Sequence, residues 1–304
     1  MSDFAWRVHI LGAFFVLFPL LSGPTAAAQW VEAPGTGWAQ LQISHQRTED
    51  GFNGEGEVVP LVQTPGDDGE STITTVRFTG ALGLVQGLDV WADVPVHRQE
   101  FNSSNPVTED LRDTGFGDPR VYLRMGPSLL GVNALPLAVA LRGGAKFTSN
   151  NFSVSSETIS LSEGQRDWEL LVELGKSLHP QPVYVQGWVG YRWRERNEEI
   201  NRDPGDEWLF YAAAGGSLNR FQWKLAVDGL FGENSSRRLA AGRLDLPPRE
   251  LVQVIPRIGW RLGPGALQAH VRVPVHGRST RANQLPASPT LTVGYFLSWE
   301  RAEW

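Results

Sequence analysis

The chain reads as an all-β protein: an antiparallel transmembrane β-barrel of about 12 strands, with short periplasmic turns and long external loops. Three observations predict this. Stretches of about 9 to 14 residues alternate apolar and polar side chains, the period of two that a strand with one oily face requires. The connections between those stretches alternate short and long. The N-terminus has the layout of an export signal, and no later apolar run approaches the roughly 20 residues a transmembrane helix needs.

At the N-terminus, Arg7 precedes an apolar run from Ile10 to Leu21, followed by Ser22, Gly23 and Pro24 and then by Ala26, Ala27 and Ala28. This is the pattern of a signal peptide with an Ala-x-Ala cleavage site. Residues 1–28 are expected to be the signal and residues 29–304 the barrel, with the mature chain starting at about Gln29.

The first expected strand runs from Gly37 to Gln46. The second, Ser71 to Gly83, sets Thr74, Val76, Phe78 and Leu82 against Thr75, Arg77 and Thr79. The third, Leu88 to Glu100, opposes Val90, Ala92, Val94 and Val96 to Asp89, Trp91, Asp93 and His97. Thr114 to Met125 opposes Val121, Leu123 and Met125 to Arg120, Tyr122 and Arg124, and Pro136 to Thr148 opposes Leu137, Val139 and Leu141 to Ala138, Ala140 and Arg142. Asp167 to Ser177 and Val183 to Arg196 follow, the latter ending in an aromatic and basic cluster. The eighth, Trp208 to Leu218, is rich in small residues and its parity is ambiguous. Phe221 to Gly232, Glu250 to Leu262, and Ala266 to His276 restore the pattern. Thr290 onward closes the set, alternating Leu291, Val293, Tyr295, Leu297 and Trp299 with Thr292, Gly294 and Ser298, and Trp299 is the expected interfacial aromatic. This strand must pair with the one near Trp38, and the tail beyond it is expected to leave the bilayer on the periplasmic side.

Connections after the second, fourth, sixth, eighth and tenth strands are expected to be short, and those after the odd-numbered strands long and polar. An outer-membrane barrel sorts its connections this way, with short turns on the periplasmic rim. A water-soluble β-sandwich would also alternate its faces, but has no reason to sort its loops.

Composition narrows the function classes. Of the 304 residues, 41% are hydrophobic and 20% charged, and Cys is absent, which removes thiol nucleophiles and disulfides. The formal charge of -6, with acids and bases interspersed, provides no basic stripe for a phosphate backbone, so nucleic acid is not an expected partner. The His residues lack metal-ligand spacing. Gly115-Phe116-Gly117 is no dinucleotide fingerprint, because no helix follows it, and Asp67-Asp68-Gly69-Glu70 reads as a solvated acidic loop. Ser44 and His45 are neighbours in a strand, so they point to opposite faces and cannot act as a catalytic pair. No catalytic, cofactor-binding or metal site is expected, and the chain is not expected to be an enzyme.

What the sequence supplies instead is a mixed-charge inner face. Arg77, Asp89, Asp93, Arg120, Arg124, Arg142, Glu169, Glu173, Arg192, Asp228, Arg257, Arg261, His270 and Arg272 are the expected lumen-lining residues. An Arg or Lys at the bilayer midplane costs about 2–4 kcal/mol, so these side chains must face water or one another. They either line a solute path or pair across the lumen and plug it.

At Asp113-Thr114-Gly115-Phe116-Gly117-Asp118-Pro119-Arg120-Val121-Tyr122-Leu123-Arg124 the chain resembles the Gly-x-Gly-Asp strand motif of the outer-membrane proteins grouped as the MetA-pathway of phenol degradation family. The start Trp30-Val31-Glu32-Ala33-Pro34-Gly35-Thr36-Gly37 is also similar to that group. Pro119 after the aspartate departs from the usual form and bears on where the strand begins. The resemblance implies a barrel in the outer membrane of a Gram-negative bacterium that takes part in uptake of small, often aromatic or hydrophobic, compounds, and it carries no catalytic residues across. The expected function is a channel or transporter for such solutes; a barrel enzyme acting on lipid, or a non-conducting structural or assembly barrel, is the alternative. Expected partners are outer-membrane lipid, a small-molecule solute and, during biogenesis, periplasmic chaperones and the barrel-assembly machinery.

Overall fold

The computed structural model describes residues 31–62, 68–104, 110–132, 135–154, 158–280 and 285–299. The expected signal peptide and the tail beyond Trp299 lie outside the described residues.

Twelve antiparallel staves close into a barrel: β1 (Gly37–Thr48), β2 (Glu70–Val85), β3 (Leu88–Asn102), β4 (Leu111–Phe116 and Arg120–Met125), β5 (Ala138–Lys146), β6 (Asp167–Ser177), β7 (Val183–Arg194), β8 (Glu207–Leu218), β9 (Phe221–Gly232), β10 (Glu250–Leu262), β11 (Gly265–Arg278) and β12 (Thr290–Trp299). Each pairs with its neighbour in sequence, and β12 returns to β1 in the register Gly37↔Trp299 to His45↔Leu291. All twelve expected strands are present, including the pairing of the last strand with the one at Trp38.

The burial pattern is inside-out relative to a water-soluble protein. Leu41, Ile43, Leu225, Ile258 and Leu291 are each more than half exposed on the outer wall, whereas five of the six bulkiest side chains with almost no exposure are Lys146, Glu207, Asn197, Asp89 and Asp167. A sandwich would bury the first set and solvate the second; a barrel in lipid does the reverse. Aromatic residues mark both rims. Trp168 sits opposite Trp193, and Tyr191 opposite Trp208, on the loop side, while Phe221 sits opposite Trp260 on the turn side, where Trp299 also lies.

Two expectations need correction. The fourth strand is not continuous. Asp93 pairs with Arg120 and Val96 with Phe116, so three residues of β4, Gly117 to Pro119, oppose two of β3. One extra residue makes a bulge, and the outward parity shifts from Thr114 and Phe116 to Val121 and Leu123. Pro119, which has no N–H for the ladder, sits in the bulge, where such a residue is tolerated. The rule of alternating short and long connections also has an exception. The turn-side connection 126–137 carries a 3₁₀ turn at Pro127–Leu130 and is longer than the loop-side connection 103–110, because β3 and β4 extend further toward the loop side than their apolar alternation suggests.

On the loop side, two small sheets rise above the barrel. One joins Asp50–Phe52, Val58–Pro60 and Leu285–Pro286, and the other joins Arg202–Asp203, Ser235–Leu239 and Gly242–Leu246.

Candidate functional site: the lumen

Side chains of all twelve staves reach inward, and three cavities run in series from one rim to the other. The outer one, about 450 Å³, lies under the loops between Phe152, Arg194, Arg202 and Arg249. The central one, about 640 Å³, is lined by Arg77, Asp93, Arg120, Arg142, Glu169, Arg192, Asp228, Arg257, His270 and Arg272, ten of the residues expected there from sequence. The inner one, about 490 Å³, opens at the turn side and takes in Arg261. Arg249 borders the outer and central cavities, and Arg257 borders the central and inner ones. Each junction is therefore flanked by a guanidinium.

Asp89, Arg124 and Glu173, also expected in the lumen, are packed away from the open space. Asp89 is fully buried and takes a two-pronged bond from Arg124, at 3.1 Å from Nε and 2.6 Å from Nη2. Arg142 Nε lies 2.9 Å from Glu173, and its guanidinium is ringed by Trp91, Tyr122 and Trp188 at 4.9, 5.1 and 5.6 Å. The stretch before β1 closes over this corner. Glu32 N–H donates to Asp89 at 2.8 Å, Val31 is buried, and burial pushes the Glu32 carboxyl above its ordinary value. The inner opening consequently lies on the β7–β12 side.

The loop-side half of the lumen is an ion-pair lattice. Arg192 bridges Glu169 at 2.8 Å and Glu207 at 2.6 Å; Arg194 bridges Glu163 at 3.0 Å and Glu207 at 3.1 Å. Lys146 contacts Glu163 and, at 2.9 Å, Asp167, and Arg249 reaches Glu163 at 3.0 Å. Glu163 belongs to the 147–166 loop. Burial alone would push its carboxyl up, but Arg194, Lys146 and Arg249 hold it well below the usual carboxylate range.

The β4 bulge holds this loop in place. It turns Asp118 inward, where its carboxylate accepts bonds from Ser149 N–H at 3.0 Å, Ser162 Oγ at 2.5 Å and Glu163 N–H at 2.9 Å. A Cβ at Gly117 would lie 2.3 Å from His97 Nε2, so any larger residue there requires the imidazole to move. The Gly-Asp of the sequence motif thus ties a loop over the mouth of the barrel.

Several of these residues escaped the sequence reading. Lys146, Asp167 and Glu207 lie at strand ends, Glu163 and Arg249 lie in loops, and alternation is silent at both; Arg194 falls within the expected seventh strand but is not among the expected lumen residues. Leu209, Leu230 and Leu251 also face the central cavity, so its wall has an apolar sector that a polar-inside rule does not anticipate. Ser44 lines the lumen while His45 faces outward, 3.0 Å from Thr74, which separates them as alternation requires. Among the described residues, no group of three or more His, Asp or Glu side chains is arranged to hold a metal ion.

Most of the chain can be laid on the crystal structure of an outer membrane channel from Pseudomonas putida F1. The TM-score is 0.66 at 11% identity, over 91% of this chain and 100% of that one. The fold is that of an outer-membrane β-barrel. The barrel also aligns with the CymD monoaromatic hydrocarbon channel, with a TM-score of 0.45 at 10% identity over 89% and 90% of the two chains. The transport unit of the autotransporter AIDA-I from Escherichia coli aligns with a TM-score of 0.49 at 9% identity, over 93% and 94%. No family model matches the sequence, and no curated protein does.

Proposed function

We propose that this barrel is a passive channel for small solutes in the outer membrane of a Gram-negative bacterium, exported by a signal at residues 1–28. The observation that carries the reading is three neighbouring cavities, the outer and central ones sharing Arg249 as a wall and the central and inner ones sharing Arg257. A barrel serving only as a scaffold or as a surface for lipid chemistry gains nothing from polar-lined cavities at three levels of its interior. Arginines outnumber carboxylates seven to three around the central cavity, although the chain as a whole is acidic. The apolar sector at Leu209, Leu230 and Leu251 and the rings of Trp91, Trp188 and Tyr122 give a solute somewhere to shed water without leaving the path. This fits the small aromatic or hydrophobic compounds implied by the resemblance of the Asp113–Arg124 motif to the MetA-pathway of phenol degradation family.

The test is conductance of the purified protein in planar bilayers, together with solute flux into liposomes. Discrete channel steps and flux above protein-free controls are expected. A protein that shows heat-modifiable migration on a gel, and so is folded, but gives neither current nor flux would overturn the reading.

A further inference from the structure

The inner cavity differs from the rest of the lumen in a way the channel reading alone does not explain. Lys224, Arg257 and Arg261 line it, and among the described residues its lining contains no carboxylate. The strand register makes the arrangement more costly. Lys224 on β9 sits directly opposite Arg257 on β10, and Arg257 sits directly opposite His270 on β11, all three on the inner face. Lys224 and Arg257 are like charges directly opposite one another in a sheet, which destabilises the pairing. The nearest acid on these strands, Asp228, is engaged by Arg272 at 3.3 Å. Arg257 has only Gln268 Oε1 at 3.4 Å, and its Nε is shielded from water with no hydrogen-bond partner.

The same wall carries flat rings. Lys224 Nζ stands 5.9 Å from the centroid of Tyr211, which is stacked on Trp188 at 5.7 Å with an interplanar angle of 11°. Tyr184 and Phe296 line the inner cavity itself. A guanidinium and an ammonium side by side match the two oxygens of a carboxylate, the guanidinium as a planar fork and the ammonium as a point charge. The rings beside them match a flat apolar body.

We propose that the Lys224–Arg257 pair is a binding site for small organic carboxylates with a flat apolar body, placed at the junction of the central and inner cavities. Resting on the channel reading, this makes the permeating solute an anion. The carboxylate supplies the negative charge that the Lys224–Arg257 pair lacks, it meets the part of the Arg257 side chain that lines the cavity, and the ring lies against Tyr184 and Phe296. In transit the solute exchanges the water-rich cavity for this site and leaves by the turn-side opening. A single weak site is compatible with flux, since binding must favour entry without preventing exit.

Binding to the full-length mature protein in detergent, followed by calorimetry or tryptophan fluorescence, tests the site whether or not the barrel conducts. Benzoate, benzamide and acetate are the probes. Benzoate is expected to bind, benzamide to bind at least about tenfold more weakly for want of a charge, and acetate more weakly for want of a ring. K224Q and R257Q should each weaken benzoate roughly tenfold or more, while R238Q, on the exposed loop-side hairpin, should leave it unchanged. Heat-modifiable migration checks that each variant folds. Equal binding of benzamide and benzoate, or unaltered benzoate binding in folded K224Q and R257Q, overturns the site; equal binding of acetate overturns its preference for a flat body. In planar bilayers under a potassium chloride gradient, the reversal potential should report anion preference, reduced in both variants. Current without anion preference removes the anionic solute but leaves the channel, and benzoate binding without current removes the channel but leaves the site.

Discussion

The two ends of this lumen handle buried charge in opposite ways. At the loop end, Lys146, Arg192, Arg194 and Arg249 each have a carboxylate oxygen within 3.0 Å, and the acids they contact are shared between neighbouring staves. At the turn end, Lys224 and Arg257 face each other across β9 and β10 with no acid between them. The first arrangement is a fastening. A buried pair is weak evidence of net stabilisation, but removing one partner leaves the other charged and unsatisfied. The second arrangement is held against its own repulsion and is the kind that a ligand completes. The difference teaches that charge in a barrel interior divides by its partners, not by its depth.

The sharpest way to break this comparison is to neutralise one group at each end. Glu207 is fully buried and accepts from Arg192 at 2.6 Å and Arg194 at 3.1 Å. Glu207→Gln should cost about 1.5–3 kcal/mol, because Arg192 and Arg194 lose the carboxylate they share and keep only Glu169 and Glu163. Lys224→Gln, which removes a repelling charge, should change stability by less than about 0.5 kcal/mol or raise it. Urea unfolding in detergent or lipid vesicles, read as the disappearance of the heat-modifiable band, checks both. Equal losses in the two variants would mean that the turn-end cations are structural after all.

Asp118→Asn tests whether the loop-end lattice is held from the bulge. The carboxylate receives three hydrogen bonds from the 147–166 loop and stands 3.5 Å from Lys146. The amide keeps the shape but loses the charge and one acceptor, for a cost of about 1–3 kcal/mol. The barrel should remain folded while the loop loosens, seen as protease cleavage within 147–166 and noisier single-channel current. A protected loop in the variant would assign its placement to the Glu163 contacts alone.

How much of this was legible in the sequence follows from the same physics. Alternation reads strands because lipid accepts apolar side chains on one face all along a stave, so Val121, Leu123 and Met125, or Leu291, Val293 and Leu297, announce themselves. It fails where lipid stops acting. The bulge at Gly117 to Pro119 and the loop Glu163 lie above the apolar band, and the long connection 126–137 lies at the other rim. There, partners distant in sequence decide the structure. Ten of the fourteen lumen candidates border the central cavity because a charge on a stave has only one wet side. Which of them are paired was not legible: Arg124 with Asp89 and Arg192 with Glu207 come from different staves, and register is needed to bring them together. Lys224 was visible on the inner face of its strand, but only its cross-strand position opposite Arg257 gives it significance.

Acid tests the loop end through a carboxylate that its cationic neighbours keep charged. The Glu163 carboxyl is held below its ordinary value of 4.5 by Arg194, Lys146 and Arg249. A depressed carboxylate contributes stability that is fully present above the unfolded value and lost as pH falls through the folded one. The loop tie should therefore persist at pH 5 and weaken only well below pH 4.5, read as the pH dependence of loop proteolysis with an acid-tolerant protease. Glu163→Gln should abolish that dependence by leaving the loop loosened at every pH. A transition centred above pH 5 would assign it to another group.

The smallest effect is expected at the opposite rim, where Glu32 has the opposite sign. Burial raises its carboxyl above the ordinary value, so charging it opposes docking of the 31–36 stretch. Its contribution is fully present at low pH and is lost as pH rises from the unfolded value through the folded one. Glu32→Gln, which mimics the protonated form and leaves the Glu32 N–H bond to Asp89 in place, should slow hydrogen exchange of the 31–36 amides at neutral pH and leave global unfolding almost unchanged. Faster exchange in the variant would show that the Thr36 hydroxyl, 3.2 Å from the Glu32 carboxylate, gives more than burial takes away. Charge at this rim would then be a fastening as well, and the contrast between the two ends would narrow to Lys224, Arg257 and Arg261.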